Sequence, residues 1–246
     1  MSLSLNIMTR VAFETLRISV PTMLDAVRGN VSSRVCDERL NSWSRKLLDE
    51  AGISLRVSGL DHIVKGQAYV VMSNHQSHYD IPVLYQALQM PMRMVAKKEL
   101  FRIPIMAGAM RAAGFVKVDR GNRHSAIEAL ISAREQLCES TSIWIAPEGT
   151  RSRTGCLGPF KKGGFRLALS CGMQILPITI DGTRETLPAG RLTVNRGATV
   201  KVTVSPPVDP VAYGSANIHF LIAVVRDVIA DHLPCAAVRL ESGEER

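Results

Sequence analysis

Apolar positions recur at helical spacing through the first fifty residues and then break into short β-rich runs. Residues 8–28 and 34–51 are predicted as helices separated by Gly29-Asn30. In the second, Cys36, Leu40, Trp43 and Leu47 share one face, with Arg39, Arg45 and Lys46 elsewhere. Pro21 should kink or split the first, because proline lacks the N–H that the helix requires. From residue 54 the strand candidates are 55–57, 69–72, 92–96, 115–118, 142–146, 175–180 and 200–204. They alternate with helix candidates at 81–88, 100–113, 125–138, 165–170 and 218–232. The pattern predicts an α/β fold, a mixed and mostly parallel sheet flanked by helices. A helical hairpin over 1–52 would precede an α/β domain over 53–246. Such sheets place their chemistry beyond the carboxyl ends of strands. His75, Asp119 and Glu148 each follow such an end.

Composition narrows the classes. The chain has 246 residues, 46% of them hydrophobic, with a mean hydropathy of +0.08. No apolar run approaches the length of a membrane span. Arg10, Glu14 and Arg17 interrupt what would be the apolar region of a secretory leader, so none is expected. Five scattered cysteines, without metal spacing, read as reduced, buried thiols. The net charge is +8, and residues 91–170 carry it, with 14 Lys and Arg against 6 Asp and Glu. A basic surplus there forms either a solvated face or a field that gathers anionic substrate or membrane. Nucleic acid is disfavoured, since only 5% of the chain is aromatic and the basic residues are not interleaved with rings.

Four segments carry candidate chemistry. In Asn74-His75-Gln76-Ser77-His78-Tyr79-Asp80, a histidine follows a strand and a carboxylate opens the next helix. Asp80 bonded to one ring nitrogen of His75 would free the other as a general base. The same residues could instead form a structural hydrogen bond, or supply His75, His78 and Asp80 to a metal. Gly114 to Arg120 reads as a strand delivering Arg120 to its end, where a guanidinium can chelate phosphate. Pro147-Glu148-Gly149-Thr150-Arg151 gathers a carboxylate, a glycine, a hydroxyl and a second guanidinium after a strand. Ser152, Arg153, Lys161 and Lys162 extend that rim. Gln174 to Ile180 is an apolar strand interrupted by Pro177, either a buried strand with a bulge or a wall for an acyl chain.

The order of these blocks, Asn-His-x4-Asp, Gly-x4-Asp-Arg, Pro-Glu-Gly-Thr-Arg and Ile-Leu-Pro-Ile, resembles the glycerolipid acyltransferase family across residues 74–180. The resemblance implies transfer of a fatty acyl group to the sn-2 hydroxyl of 1-acylglycerol 3-phosphate. Acyl-CoA or acyl-carrier protein would be co-substrate, with no metal and no further cofactor. It implies His75 as general base with Asp80 as partner. Arg120, Glu148, Gly149, Thr150 and Arg151 would shape the phosphate pocket, with Lys98 a further candidate. Pro177 would lie in the acyl-donor region. It also implies that the N-terminal hairpin rests in the membrane interface, peripherally on the cytoplasmic face. No Gly-x-Ser-x-Gly elbow is present, so direct attack is expected rather than an acyl-enzyme. Alternatives are the same chemistry on a lyso-ornithine lipid, another lysophospholipid or glycerol 3-phosphate, a metal-dependent hydrolase, and a non-catalytic membrane-binding module.

Overall fold

Seven short strands alternate with helices, as the sequence pattern requires. The computed structural model describes residues 2–119, 121, 129 and 141–234. Two helices open the chain, α1 (Ser2–Val27) and α2 (Ser33–Ala51). The Ser32 side chain accepts from the Val35 N–H at the start of α2, and Gly52 ends it in the left-handed conformation. Helix α1 runs through Pro21 as one element, so the chain is not split there. Packing against α2 and the later helix α4 (Met106–Ala112) holds it together.

The strands are β1 (Ser54–Ser58), β2 (Val70–Ser73), β3 (Met92–Lys97), β4 (Val116–Val118), β5 (Ser142–Ile145), β6 (Ile175–Asp181) and β7 (Thr199–Val204). They form one sheet in the order β1-β7-β6-β2-β5-β3-β4. Only the β6–β7 pair is antiparallel, so β1 and β7 run against the other five. All seven predicted strands are present, and α3 (Asp80–Leu88) follows β2. The predicted helix over 100–113 is divided into a 3-10 turn, Lys98–Arg102, and α4. Pro104 lies between them and disfavours helical geometry at the residue before it. The candidate helix over 125–138 lies outside the described residues.

Successive strand residues face opposite layers. Val71, Leu176, Ile178 and Ile180 pack with Leu40 and Leu48 of α2 and with α3. Val70, Met72, Ile143, Ile145 and Ile175 pack beneath α5 (Gly163–Cys171) and α7 (Ile218–Ala230). The hairpin thus completes the core on one side of the sheet. Pro177 sits in β6 opposite Met72. On the β7 side the register slips by one residue between Ile178↔Val204 and the bridge Ile175↔Val208. This bulge lies where Pro177 has no N–H to offer, which is the reading of a bulge proline. Cysteine usage departs from expectation. Cys36 is free and buried and Cys171 free and half-buried, but Cys156 is disulfide-bonded.

A four-residue helix, α6 (Thr183–Thr186), follows β6 through Gly182 at φ +100°. A Cβ there would lie 2.3 Å from the Thr199 carbonyl oxygen. Gly182→Ala should therefore destabilise the protein by about 2 kcal/mol or more, read as a lowered urea midpoint.

Candidate active site

The segment after β2 leaves the sheet but keeps a full set of backbone partners. Asn74 bridges back to β6. Its Nδ2 donates to the Ile180 carbonyl and its Oδ1 accepts from the Ile180 N–H, both at 2.8 Å. A buried side-chain amide thus replaces one rung of the ladder where β2 turns away. The His75 N–H donates to Glu148 Oε1 at 2.9 Å, and the His75 carbonyl accepts from the Ser152 N–H at 2.7 Å. These bonds lace the loop after β2 to the loop after β5. Trp144 of β5 donates its indole N–H to Ser73 Oγ at 2.9 Å and meets the His75 ring in a T-shaped contact, centroids 5.6 Å apart.

His75 and Asp80 are brought together as expected. Nδ1 of His75 lies 2.6 Å from Asp80 Oδ2. The same oxygen accepts the Gln76 and Ser77 N–H groups at 2.7 and 3.0 Å. The other, Oδ1, accepts from the Thr183 hydroxyl at 2.5 Å. Asp80 is fully buried and stands in the first turn of α3, where a negative charge suits the helix dipole. Oδ2 already receives two backbone donors, so the shared proton belongs on Nδ1 of His75. That leaves Nε2 with the lone pair, the arrangement of an oriented general base. The His75 side chain is 10% exposed, enough for one ring edge to meet a substrate. Thr183 was missed in the sequence. Its position two residues beyond the end of β6 was the available signal.

Glu148 is placed differently from expectation. Its Oε2 accepts the Gly158 N–H at 2.9 Å while Oε1 holds His75. A buried carboxylate with both oxygens committed to amides offers nothing to a phosphate and instead positions the histidine backbone. Burial raises its pKa, opposed by those two amide bonds. Gly149 has φ +71°, and the space a Cβ would fill is taken by Lys161, whose Nζ lies 2.9 Å from that point. The turn therefore holds an ammonium over the glycine. Arg151 is half-buried and makes no ion pair or hydrogen bond with any described residue. Thr150 is exposed beside it. Lys98 is committed to Asp119, Nζ to Oδ2 2.6 Å. Arg120 lies outside the described residues. Pro177 belongs by alternation to the sheet face that carries Ile175, opposite the α2–α3 side.

On the α2–α3 side an apolar cavity of about 320 Å³ opens between the hairpin and the α3–α4 region. Met8, Val11 and Ile18 of α1, Leu40 and Trp43 of α2, and Met110 of α4 line it. His78 and Tyr79 also line it, so it begins within three residues of His75. The sequence pattern showed no sign of this cavity and marked His78 only as a possible metal ligand. Burial first, then the nearby Arg151 and His75, lowers the His78 pKa to about 4, although part of its surface meets solvent. Among the described residues, no group of three or more His, Cys, Asp or Glu side chains could hold a metal ion.

The profile of the family described as Acyltransferase matches residues 54–181. Among curated relatives, the chloroplastic 1-acyl-sn-glycerol-3-phosphate acyltransferase BAT2 of Brassica napus is 34% identical over 160 residues, which cover 65% of this chain and 45% of that protein. The 1-acyl-sn-glycerol-3-phosphate acyltransferase of Borreliella burgdorferi is 32% identical over 183 residues, 74% of this chain and 73% of that one. The chain spans less than half the length of the plant and algal relatives it matches. The crystal structure of the 1-acyl-sn-glycerophosphate (LPA) acyltransferase from Thermotoga maritima superposes with a TM-score of 0.77 at 25% identity, covering 99% of this chain and 98% of that one.

A proton titration by NMR should find the His78 ring neutral down to about pH 4, against 6.5 for a free histidine. Because the folded pKa is depressed, its contribution to stability is present above 6.5 and is lost as the pH falls toward 4. Arg151→Ala should move the His78 titration upward; an unmoved midpoint would show that burial alone sets it.

Proposed function

This chain belongs to the acyltransferase family, and from that membership we propose that it moves a fatty acyl group from an acyl thioester to the sn-2 hydroxyl of 1-acylglycerol 3-phosphate, forming phosphatidate for phospholipid synthesis. The observation that carries the reading is the His75 Nδ1–Asp80 Oδ2 bond of 2.6 Å beside an apolar cavity of about 320 Å³. One group removes a hydroxyl proton and the other shelters an acyl chain. The donor is acyl-CoA or acyl-carrier protein, and no other cofactor takes part.

In the proposed step, His75 Nε2 takes the proton of the acceptor hydroxyl as its oxygen attacks the thioester carbonyl. The tetrahedral adduct collapses with loss of the thiolate, which receives the proton from the imidazolium. Asp80 holds the ring in the productive tautomer and offsets the positive charge that develops on it. Arg151, free of any described acid, holds the acceptor phosphate, and the family resemblance adds Arg120. Thr150 and the Gly149 turn complete that side, with Lys161 above the glycine. Lys98 contributes less, because Asp119 offsets its charge.

The same reading seats the chain on the cytoplasmic face of a membrane. Phe13, Leu16, Val20, Leu24 and Val27 fall at helical spacing along α1, and each is exposed, Val27 by 82%. Polar groups occupy the seam between the helices: Arg39 meets Asp25 at 2.5 Å and Thr22 at 3.1 Å, Arg10 meets Glu50, and Trp43 donates to Thr15. An apolar stripe of this kind on the outer side of α1 suits a lipid surface. No helix among the described residues is long and apolar enough to cross a membrane.

His75→Ala should lower kcat by about 100- to 10,000-fold with an unchanged circular dichroism spectrum. Arg151→Ala should mainly raise KM for the phosphorylated acceptor. A thiol-release assay with acyl-CoA and a panel of lysolipids checks both, and near-normal turnover by the His75 variant would sink the mechanism. Vesicle flotation should weaken in a Phe13→Ser, Leu24→Ser double variant and should change little with salt, since the contact is apolar. Strong salt sensitivity would assign the adhesion to the basic face instead.

A further inference from the structure

A second basic concavity lies outside the groups used above. A pocket of about 450 Å³ follows the β6–α6 turn, and Arg153, Arg184 and Arg191 line it. Several other basic side chains are matched to acids, Arg10 to Glu50, Arg39 to Asp25, Arg93 to Asp37 and Lys98 to Asp119. These three arginines are exposed, and their side chains make no ion pair or hydrogen bond with any described residue. The pocket shares walls with the His75 centre. Arg184 follows Thr183, which bonds Asp80. Its Nη1 comes within 3.6 Å of the Cβ position of Gly155. The Gly155 carbonyl in turn accepts from the Gln76 side chain at 3.2 Å. Arg153 follows Ser152, which donates to the His75 carbonyl.

The rest of the lining narrows the ligand. Three guanidinium forks in one concavity call for phosphate. Glu185 adds a carboxylate, which would repel a small bare anion but accepts hydrogen bonds from ribose hydroxyls or an adenine amino group. The Asn195 amide nitrogen is spent on the Glu185 backbone carbonyl at 2.8 Å, leaving its oxygen as an acceptor. Pro188 and Ala189 supply an apolar surface on which a flat base can rest. Phosphate donors, hydroxyl acceptors and an apolar surface together describe a phosphorylated nucleotide.

We propose that this pocket holds the phosphorylated nucleotide end of coenzyme A, which makes acyl-CoA the donor. The assignment of the ligand rests on the acyl-transfer reading, because a thioester substrate is what brings such a nucleotide to this face. The flexible pantetheine arm then reaches past the Gly155 turn toward His75.

Binding of adenosine 3′,5′-bisphosphate to the full chain, measured by calorimetry, tests the pocket without turnover. Arg184→Gln with Arg191→Gln should weaken that binding about tenfold or more and raise KM for acyl-CoA comparably. KM for lysophosphatidate, and the rate with acyl-pantetheine as donor, should stay within about twofold. An unaltered chain that fails to bind the bisphosphate, or a double variant that binds it equally well, would overturn the pocket. So would a rise in the acceptor KM, or an equal loss with acyl-carrier protein as donor. Thiol release without bisphosphate binding would overturn the pocket and leave acyl transfer standing. Bisphosphate binding without thiol release would overturn acyl transfer and leave a nucleotide site.

Discussion

The Asp80 carboxylate ties three parts of the fold at one buried point. It stands in the first turn of α3, receives the amides of the loop after β2, and receives the Thr183 hydroxyl from the turn after β6. Hydrogen bonds to a charged group contribute about 1.5–3 kcal/mol each, so a carboxylate with four donors fixes its surroundings strongly. His75 is one of those four donors, and its position follows from the other three. The ring is held by a scaffold that exists without substrate, as a base that must meet a hydroxyl at short range requires.

The backbone of His75 is constrained just as fully, by the other acid. Glu148 closes on the His75 N–H and Ser152 on the His75 carbonyl. The Pro-Glu-Gly-Thr-Arg block therefore has two jobs. Its carboxylate faces inward and sets the histidine. Its arginine remains without an acid partner among the described residues and keeps its charge available to a ligand. The two carboxylates divide the work, Asp80 on the ring and Glu148 on the main chain.

Much of this was legible in the sequence because it rests on local pattern. The seven strands follow from apolar runs, and the His75–Asp80 pair from a spacing that a loop and a helix start convert into contact. Long-range contacts were not legible. Nothing near residue 80 announces Thr183, and nothing near residue 74 announces Ile180, since those partnerships depend on β2 and β6 becoming neighbours. The amide partners of Glu148 were not legible for the same reason. A carboxylate beside a glycine and an arginine looks like part of a ligand site until its amide partners, one of them 73 residues away, are in view. Pro21 and Pro104 behaved differently because propensity is a local preference that packing can override. Contact with α2 and α4 keeps α1 continuous through Pro21, whereas at Pro104 the chain passes from a 3-10 turn into a separate helix.

The cavity follows from an unusual allocation of polarity in the hairpin. An ordinary amphipathic pair buries its apolar faces against each other and the core. Here α1 and α2 bury Ile7, Leu47 and Ala51 together at one end and place polar groups along the rest of their seam, through Arg39, Asp25, Thr22, Thr15 and Trp43. That frees apolar surface in two directions. Leu40, Trp43 and Leu47 roof a space that the core does not fill. Phe13, Leu16, Val20, Leu24 and Val27 face outward. A chain of methylenes moving from a lipid surface into that space would exchange one apolar environment for another and cross little polar ground. The hairpin thus presents apolar surface both to the cavity and outward along α1, which is what the proposed entry of an acyl chain from a lipid surface requires.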